Sequence, residues 1–107
     1  MIVVDKRHTY FYFITMRFYW DEEKNNLLKK ERHVSFERIV VAIEEGHLLD
    51  VLEHPNKGKY GNQIILIVEI DGYAFCVPCI PDKEGYFLKT LYPSRRYTKF
   101  FKLGGRL

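Results

Sequence analysis

The chain has 107 residues, 47% hydrophobic and 29% charged, which suits one compact domain with its own core. No run of about 18 apolar residues exists, which excludes a membrane-spanning helix, and the first 15 residues lack the ordered regions of a signal peptide, so a cytoplasmic location is expected. The net charge is +3 but uneven: residues 82–107 carry seven Lys/Arg against two acidic residues, while residues 1–81 carry ten against twelve, so a polyanion or an acidic protein would find its partner near the C-terminal end. A solvated helix face is the plainer explanation of the same charges.

In chain order, Ile2-Val3-Val4 and Tyr10 to Ile14 are β-prone. They form an added strand, or residues 1–15 are an over-long start, since Met16 opens MRFYWDEEK. Arg17 to Trp20 reads as a short strand or the lead into a helix. Two helices then fill the stretch from Trp20 to Gly46. Asp21 caps the first, Glu22 and Glu23 suit its positive end, and Lys29, Lys30 and Arg32 suit its negative end. Leu27 and Leu28 are its only clear apolar residues, so it should lie on the surface of something larger. Ser35 caps the second helix, with Val34 and Ile39 placed as a hydrophobic staple. Phe36, Ile39, Val40 and Ile43 give that helix one apolar face, and Gly46 closes it.

Leu48 to Glu53 reads as a strand, and His54 to Asn62 as a loop. Gln63 to Ile70 is nearly all apolar and β-branched, as in a strand buried on both faces. Asp71-Gly72 signals a type I′ hairpin, and Tyr73 to Ile80 returns as the partner strand. Pro78 lacks an amide donor, so the far end of that strand should be an edge, a bulge or an exit. Pro81 to Gly85 turns the chain. Tyr86 to Tyr92 is a further strand, stopped by Pro93. Ser94 then caps a last helix, Arg95 to Leu103, with Tyr97, Phe100 and Phe101 packed inward and Arg95, Lys99, Lys102 and Arg106 outside. Gly104-Gly105 ends it. The order predicts a single α+β domain over residues 1–107: two N-terminal helices, an antiparallel sheet of about four strands, and a C-terminal helix.

Cys76 and Cys79 form one C-V-P-C motif, where a zinc ribbon would need two such pairs. Their flanks read as strand, so the thiols should point to opposite faces and be buried and structural. No Gly-rich phosphate loop, Ser/His/Asp order or metal-ligand cluster is present, and no cofactor is expected.

The order and local motifs resemble the BrnT-type toxins of bacterial type II toxin–antitoxin pairs, of the RelE-like fold group. The resemblance rests on Met16-Arg17-Phe18-Tyr19-Trp20-Asp21 with Lys24, on Val34-Ser35-Phe36-Glu37, and on Ser94-Arg95-Arg96 opening the last helix, and it covers roughly Met16 to Lys102. The family's helix-one asparagine falls at Leu28, and its Lys-His-Gly falls at Glu31-Arg32-His33. The stretch ERHVSFERIVVAIEEGHLL is also similar to a related RelE-like domain family.

The resemblance implies a metal-independent ribonuclease, in which the RNA's 2′-hydroxyl attacks the adjacent phosphorus. It also implies a cognate antitoxin, of ribbon-helix-helix type, that binds and silences the toxin in a hetero-oligomer. Arg95 and Arg96 would hold the phosphate, because a guanidinium is planar, permanently charged and donates in pairs. Lys89, on the strand before, would assist. His33, His47 and His54 are candidate bases by residue type, and His33 falls one place from the family's histidine; helix-end capping is its ordinary duty. Glu69 is a further candidate base. Lys99, Lys102 and Tyr92 would bind RNA, and Tyr97 reads as packing. From a different class, a catalytically silent RelE-like module would use the same basic helix only to bind a protein or a nucleic acid.

Overall fold

The computed structural model describes residues 17–59 and 61–104. The β-prone runs of residues 1–15 lie outside the described residues, as does Arg106. The chain begins with a short strand β1 (Phe18–Trp20), then two helices, α1 (Glu22–Arg32) and α2 (Phe36–Glu44). Strands β2 (Leu48–Glu53), β3 (Ile64–Ile70), β4 (Tyr73–Asp82), β5 (Gly85–Leu88) and β6 (Tyr92–Pro93) follow, and helix α3 (Arg95–Phe100) closes the order.

The local signals act as their chemistry dictates. Asp21 caps α1 by accepting from the Glu23 amide, and Ser35 caps α2 by accepting from the Arg38 amide. Gly46 closes α2 at φ 91°, where Gly46 N–H bonds to Ile43 O and His47 N–H to Ala42 O. Asp71 and Gly72 both have positive φ, as a type I′ turn requires.

The sheet departs from the expected antiparallel sheet of about four strands. It has six strands in the order β1-β5-β4-β3-β2, with β6 also paired to β4, and it is mixed, because β1 lies parallel to β5. The parallel pair depends on Gly85, whose backbone Arg17 approaches so closely that Tyr86 N–H donates to Arg17 O at 2.9 Å. The expected strand Tyr86 to Tyr92 is split in two. Its break, from Lys89 to Leu91, falls opposite Pro78, which is in mid-strand rather than at an end. A residue's N and O point to the same neighbour in an antiparallel ladder. Pro78 O accepts from Lys89 N–H at 2.9 Å, so the donor that proline lacks would have faced this gap.

Helix placement differs from the expected order as well. β1 precedes the helices, and the helices occupy opposite faces of the sheet. Leu28 of α1 and Phe36, Ile39 and Ile43 of α2 pack on Leu66, Val68, Val77 and Leu88. Tyr97, Phe101 and Leu103 pack on Ile65, Ile67, Ala74 and Cys76 from the other side. β3 feeds both layers, since successive side chains alternate faces. Cys79 belongs to the first layer and Cys76 to the second; burial pushes the Cys79 thiol up to about 12 and raises Cys76 too.

Helix α3 is shorter than the expected Arg95 to Leu103. Lys102 takes the left-handed conformation at φ 56°, with Leu103 N–H bonded to Thr98 O and Lys102 N–H to Lys99 O. That closing motif satisfies the last carbonyls before the glycines are reached. Phe100 is 70% exposed, not packed inward.

Two buried polar residues fix the helices. Asn25 accepts from Phe36 N–H at 2.8 Å and donates to Glu37 Oε1 at 2.8 Å, tying α1 to the first turn of α2. That amide holds the Glu37 carboxyl below the ordinary carboxylate range. Asn25→Leu strands the Phe36 amide and is expected to cost about 1–3 kcal/mol by urea unfolding. A depressed carboxylate stabilises above its unfolded pKa and loses that contribution as pH falls through its folded value. The gap between wild type and variant should therefore narrow in acid, below about pH 4.3. Thr98 is the second. Its hydroxyl accepts from Ala74 N–H at 2.9 Å and donates to Ser94 O at 2.7 Å, while Ser94 N–H donates to Ala74 O at 2.8 Å. The start of α3 is thus stitched to the start of β4.

Candidate nucleic-acid interface

The α1–α2 turn and the end of β6 meet at one end of the sheet. Phe75 pairs with Pro93, and directly opposed residues share a face. That is the face under α1 and α2, where Phe75 packs on the core. Between turn and strand lies a cleft of 550 Å³, lined by Arg32, His33, Val34, Ile70, Asp71, Tyr73, Phe75 and Pro93. A hollow of 480 Å³ adjoins it, sharing His33, Val34, Ile70 and Asp71 and adding Lys29, Ser35 and Arg38. Tyr73 and Phe75 supply ring surface, their centroids 6.2 Å apart and edge to face. Arg38 pairs with Asp71 at 3.7 Å. A wider hollow of 800 Å³ runs along α1 alone, over Lys24, Leu27 and Lys30, but one helix face brings no groups into convergence.

His33 ends α1 in the left-handed conformation at φ 61°, its N–H bonded to Lys29 O at 3.2 Å. This is the conformation that glycine adopts without strain and that a histidine adopts at a cost. His33→Gly is expected to stabilise the fold by about 0.5–1 kcal/mol in thermal unfolding, since left-handed strain is relieved. A lower melting temperature would contradict the capping role.

Arg95 and Arg96 are exposed on the first turn of α3, no more than about 7–11 Å of chain beyond Pro93. The Arg96 guanidinium lies 5.4 Å over the Tyr97 ring. Lys99 and Lys102 are exposed further along. Lys89 is exposed but anchored opposite Pro78, whereas Ser94 is anchored opposite Ala74. Those anchors are about 13 Å apart along β4, so the backbone does not place Lys89 beside the arginine pair. Tyr92 pairs with Cys76 and turns to the α3 face, away from the cleft; burial, then the neighbouring Cys76, raises its pKa. His47, His54 and Glu69 are not among the residues lining either hollow. Asn56 N–H donates to His54 Nδ1 at 3.2 Å.

The cleft brings His33 and Arg32 together with Pro93; Arg95 and Arg96 follow Pro93 in the chain but line neither hollow, and nor do Lys89 and Tyr92. Comparison with family models, curated proteins and solved structures found no match. Cations around ring faces suit a flexible polyanion with flat bases, because phosphates need charge and bases need a surface to stack on. Tyr73 and Phe75 were legible only as a strand. Their i, i+2 spacing puts both rings on one face, a signal that gains meaning once the α1–α2 turn is known to lie over them. Among the described residues, no helix is long and apolar enough to cross a membrane.

Proposed function

We propose that this chain is the toxin of a type II toxin–antitoxin pair, a metal-independent endoribonuclease acting on single-stranded RNA. The observation that carries this reading is the cleft that joins the α1–α2 turn to Pro93, the residue that precedes Ser94-Arg95-Arg96 in the chain. Val34, from one of the resembling motifs, lines this opening, and the other motif begins in the chain directly after its Pro93 wall. Cleavage by this route transfers the 2′-hydroxyl proton to a base, forms the 2′-O–P bond, and breaks the P–O5′ bond with protonation of the leaving oxygen. Arg95 and Arg96 neutralise the charge that builds on the phosphoryl oxygens. His33, which lines the cleft, is the candidate for proton transfer, and Lys99 and Lys102 bind flanking phosphates. Lys89 reaches the scissile region only through its side chain. The antitoxin lays an acidic segment across this basic surface.

The second reading, a catalytically silent binding module, has two observations in its favour. His33 is already used as a helix cap, and Leu28, where the family carries asparagine, is 2% exposed in the core. Purified chain incubated with single-stranded RNA in excess chelator decides between them. Fragments ending in 2′,3′-cyclic phosphate support the nuclease. RNA that is bound and left intact leaves the module. Growth arrest on expression, relieved by a neighbouring reading frame, supports the toxin.

A further inference from the structure

We infer that the cleft between the α1–α2 turn and the start of β4 seats one unpaired nucleobase of the RNA, stacked on Tyr73, with Arg32 on the adjoining phosphate. This rests on the RNA-directed reading above, and it assigns a binding role to residues outside the proposed catalytic set. The cleft's 550 Å³ falls within the roughly 300–1,000 Å³ typical of small-molecule sites. Its chemistry divides in the way a nucleotide does. Tyr73, Phe75, Ile70 and Pro93 offer ring and apolar surface. Arg32 is exposed and, among the described residues, makes no ion pair, whereas Arg38 is engaged with Asp71.

Rigidity supports the assignment. Tyr73 immediately follows the tight Asp71-Gly72 turn and pairs with Ile70, so its backbone is fixed by the ladder. Phe75 is held between its pairing with Val68 and its pairing with Pro93. A surface for stacking is most useful when ordering it costs little on binding. A free nucleotide would fit the cleft alone. The exposed cations that continue past Pro93 (Arg95, Arg96, Lys99 and Lys102) call for several phosphates, and hence for a strand. The strand is single, because a base must leave its duplex stack to enter a cleft of this kind.

The test uses a short, end-labelled 2′-O-methyl RNA, which binds but cannot be cleaved by 2′-hydroxyl attack. Anisotropy titrations compare wild type, Tyr73→Leu, Tyr73→Phe and Arg32→Ala across a salt series. Tyr73→Leu keeps an apolar group and loses the ring face, so affinity should fall about 10-fold, while Tyr73→Phe stays within about twofold. Arg32→Ala should lower the slope of log affinity against log salt by about 0.7, the value for one phosphate contact to a single strand. An abasic version of the same oligonucleotide should bind wild type about 10-fold more weakly, and that arm needs no variant to fold.

Equal binding by wild type and Tyr73→Leu, or equal binding of the base-bearing and abasic strands, overturns the base site and leaves the nuclease reading intact. No binding by wild type overturns both. The Tyr73 effect without cleavage of ordinary RNA supports the base site and overturns the nuclease.

Discussion

Gly85→Ala is expected to destabilise the fold by about 3 kcal/mol or more. Gly85 has φ 143°, a conformation that L side chains rarely adopt, and is buried. A Cβ there would lie 2.0 Å from Arg17 O and 2.9 Å from Arg17 C. Those are backbone atoms, so no rotamer change relieves the overlap. The carbonyl concerned is the one that accepts from Tyr86 N–H and starts the parallel β1–β5 pairing. Pushing it away frees Phe18 and Trp20 from Tyr86 and Phe36, with Trp20 and Phe36 ring centroids now 5.5 Å apart. Trp20 is the only tryptophan, so its fluorescence reports β1 directly in a urea titration. Gly46→Ala is the control. Gly46 also has positive φ, at 91°, but a Cβ there meets nothing within 4 Å. It should cost only about 1 kcal/mol, the left-handed strain alone. Equal losses at the two positions would show that the close approach of Arg17 contributes nothing.

The same strand shows where sequence reasoning stops. Helix α2, its Ser35 cap, its Gly46 close and the Asp71-Gly72 hairpin were legible because each signal and its effect lie within a few residues. β1 is three residues long, and its strand pairing is to a segment almost 70 residues away. Nothing local in Phe18-Tyr19-Trp20 separates a strand from the lead into a helix. The split of Tyr86 to Tyr92 depends on Pro78, which acts across the ladder rather than along the chain. Lys102 ends α3 although glycines follow it, because the Leu103 amide finds the Thr98 carbonyl and its side chain finds the second core layer. Asn25 reads as one polar residue on a polar helix; its place between Phe36 and Glu37 exists only once α1 and α2 pack. The candidate site divides in the same way. Arg95-Arg96 stood out as paired cations after a cap. The closeness of His33 to Pro93, and the rings beneath, follow from tertiary folding.

If the chain is a ribonuclease, Arg95→Ala and Arg96→Ala should each lower its turnover by roughly 10²–10³-fold, with a smaller loss of RNA affinity. The phosphorane-like transition state carries more charge than the ground-state phosphodiester, so a positioned guanidinium stabilises the former more. Both side chains are exposed, and α3 is held by Ser94 and Thr98 rather than by the arginines. Stability should therefore stay within about 0.5 kcal/mol for Arg95→Ala. It should fall by at most about 1 kcal/mol for Arg96→Ala, which gives up its contact with the Tyr97 ring. Lysine variants refine the assignment. Arg95→Lys keeps the charge and loses the planar pair of donors, so a turnover close to that of Arg95→Ala would identify bidentate contact, and recovery to near wild type would identify charge alone. Lys99→Ala, one turn further along, should weaken binding modestly and spare turnover. The measurement is single-turnover cleavage of labelled RNA at saturating enzyme, which separates chemistry from binding. Turnover in the double arginine variant within threefold of wild type would remove both arginines from the chemistry and leave the phosphate to groups on the cleft side of Pro93.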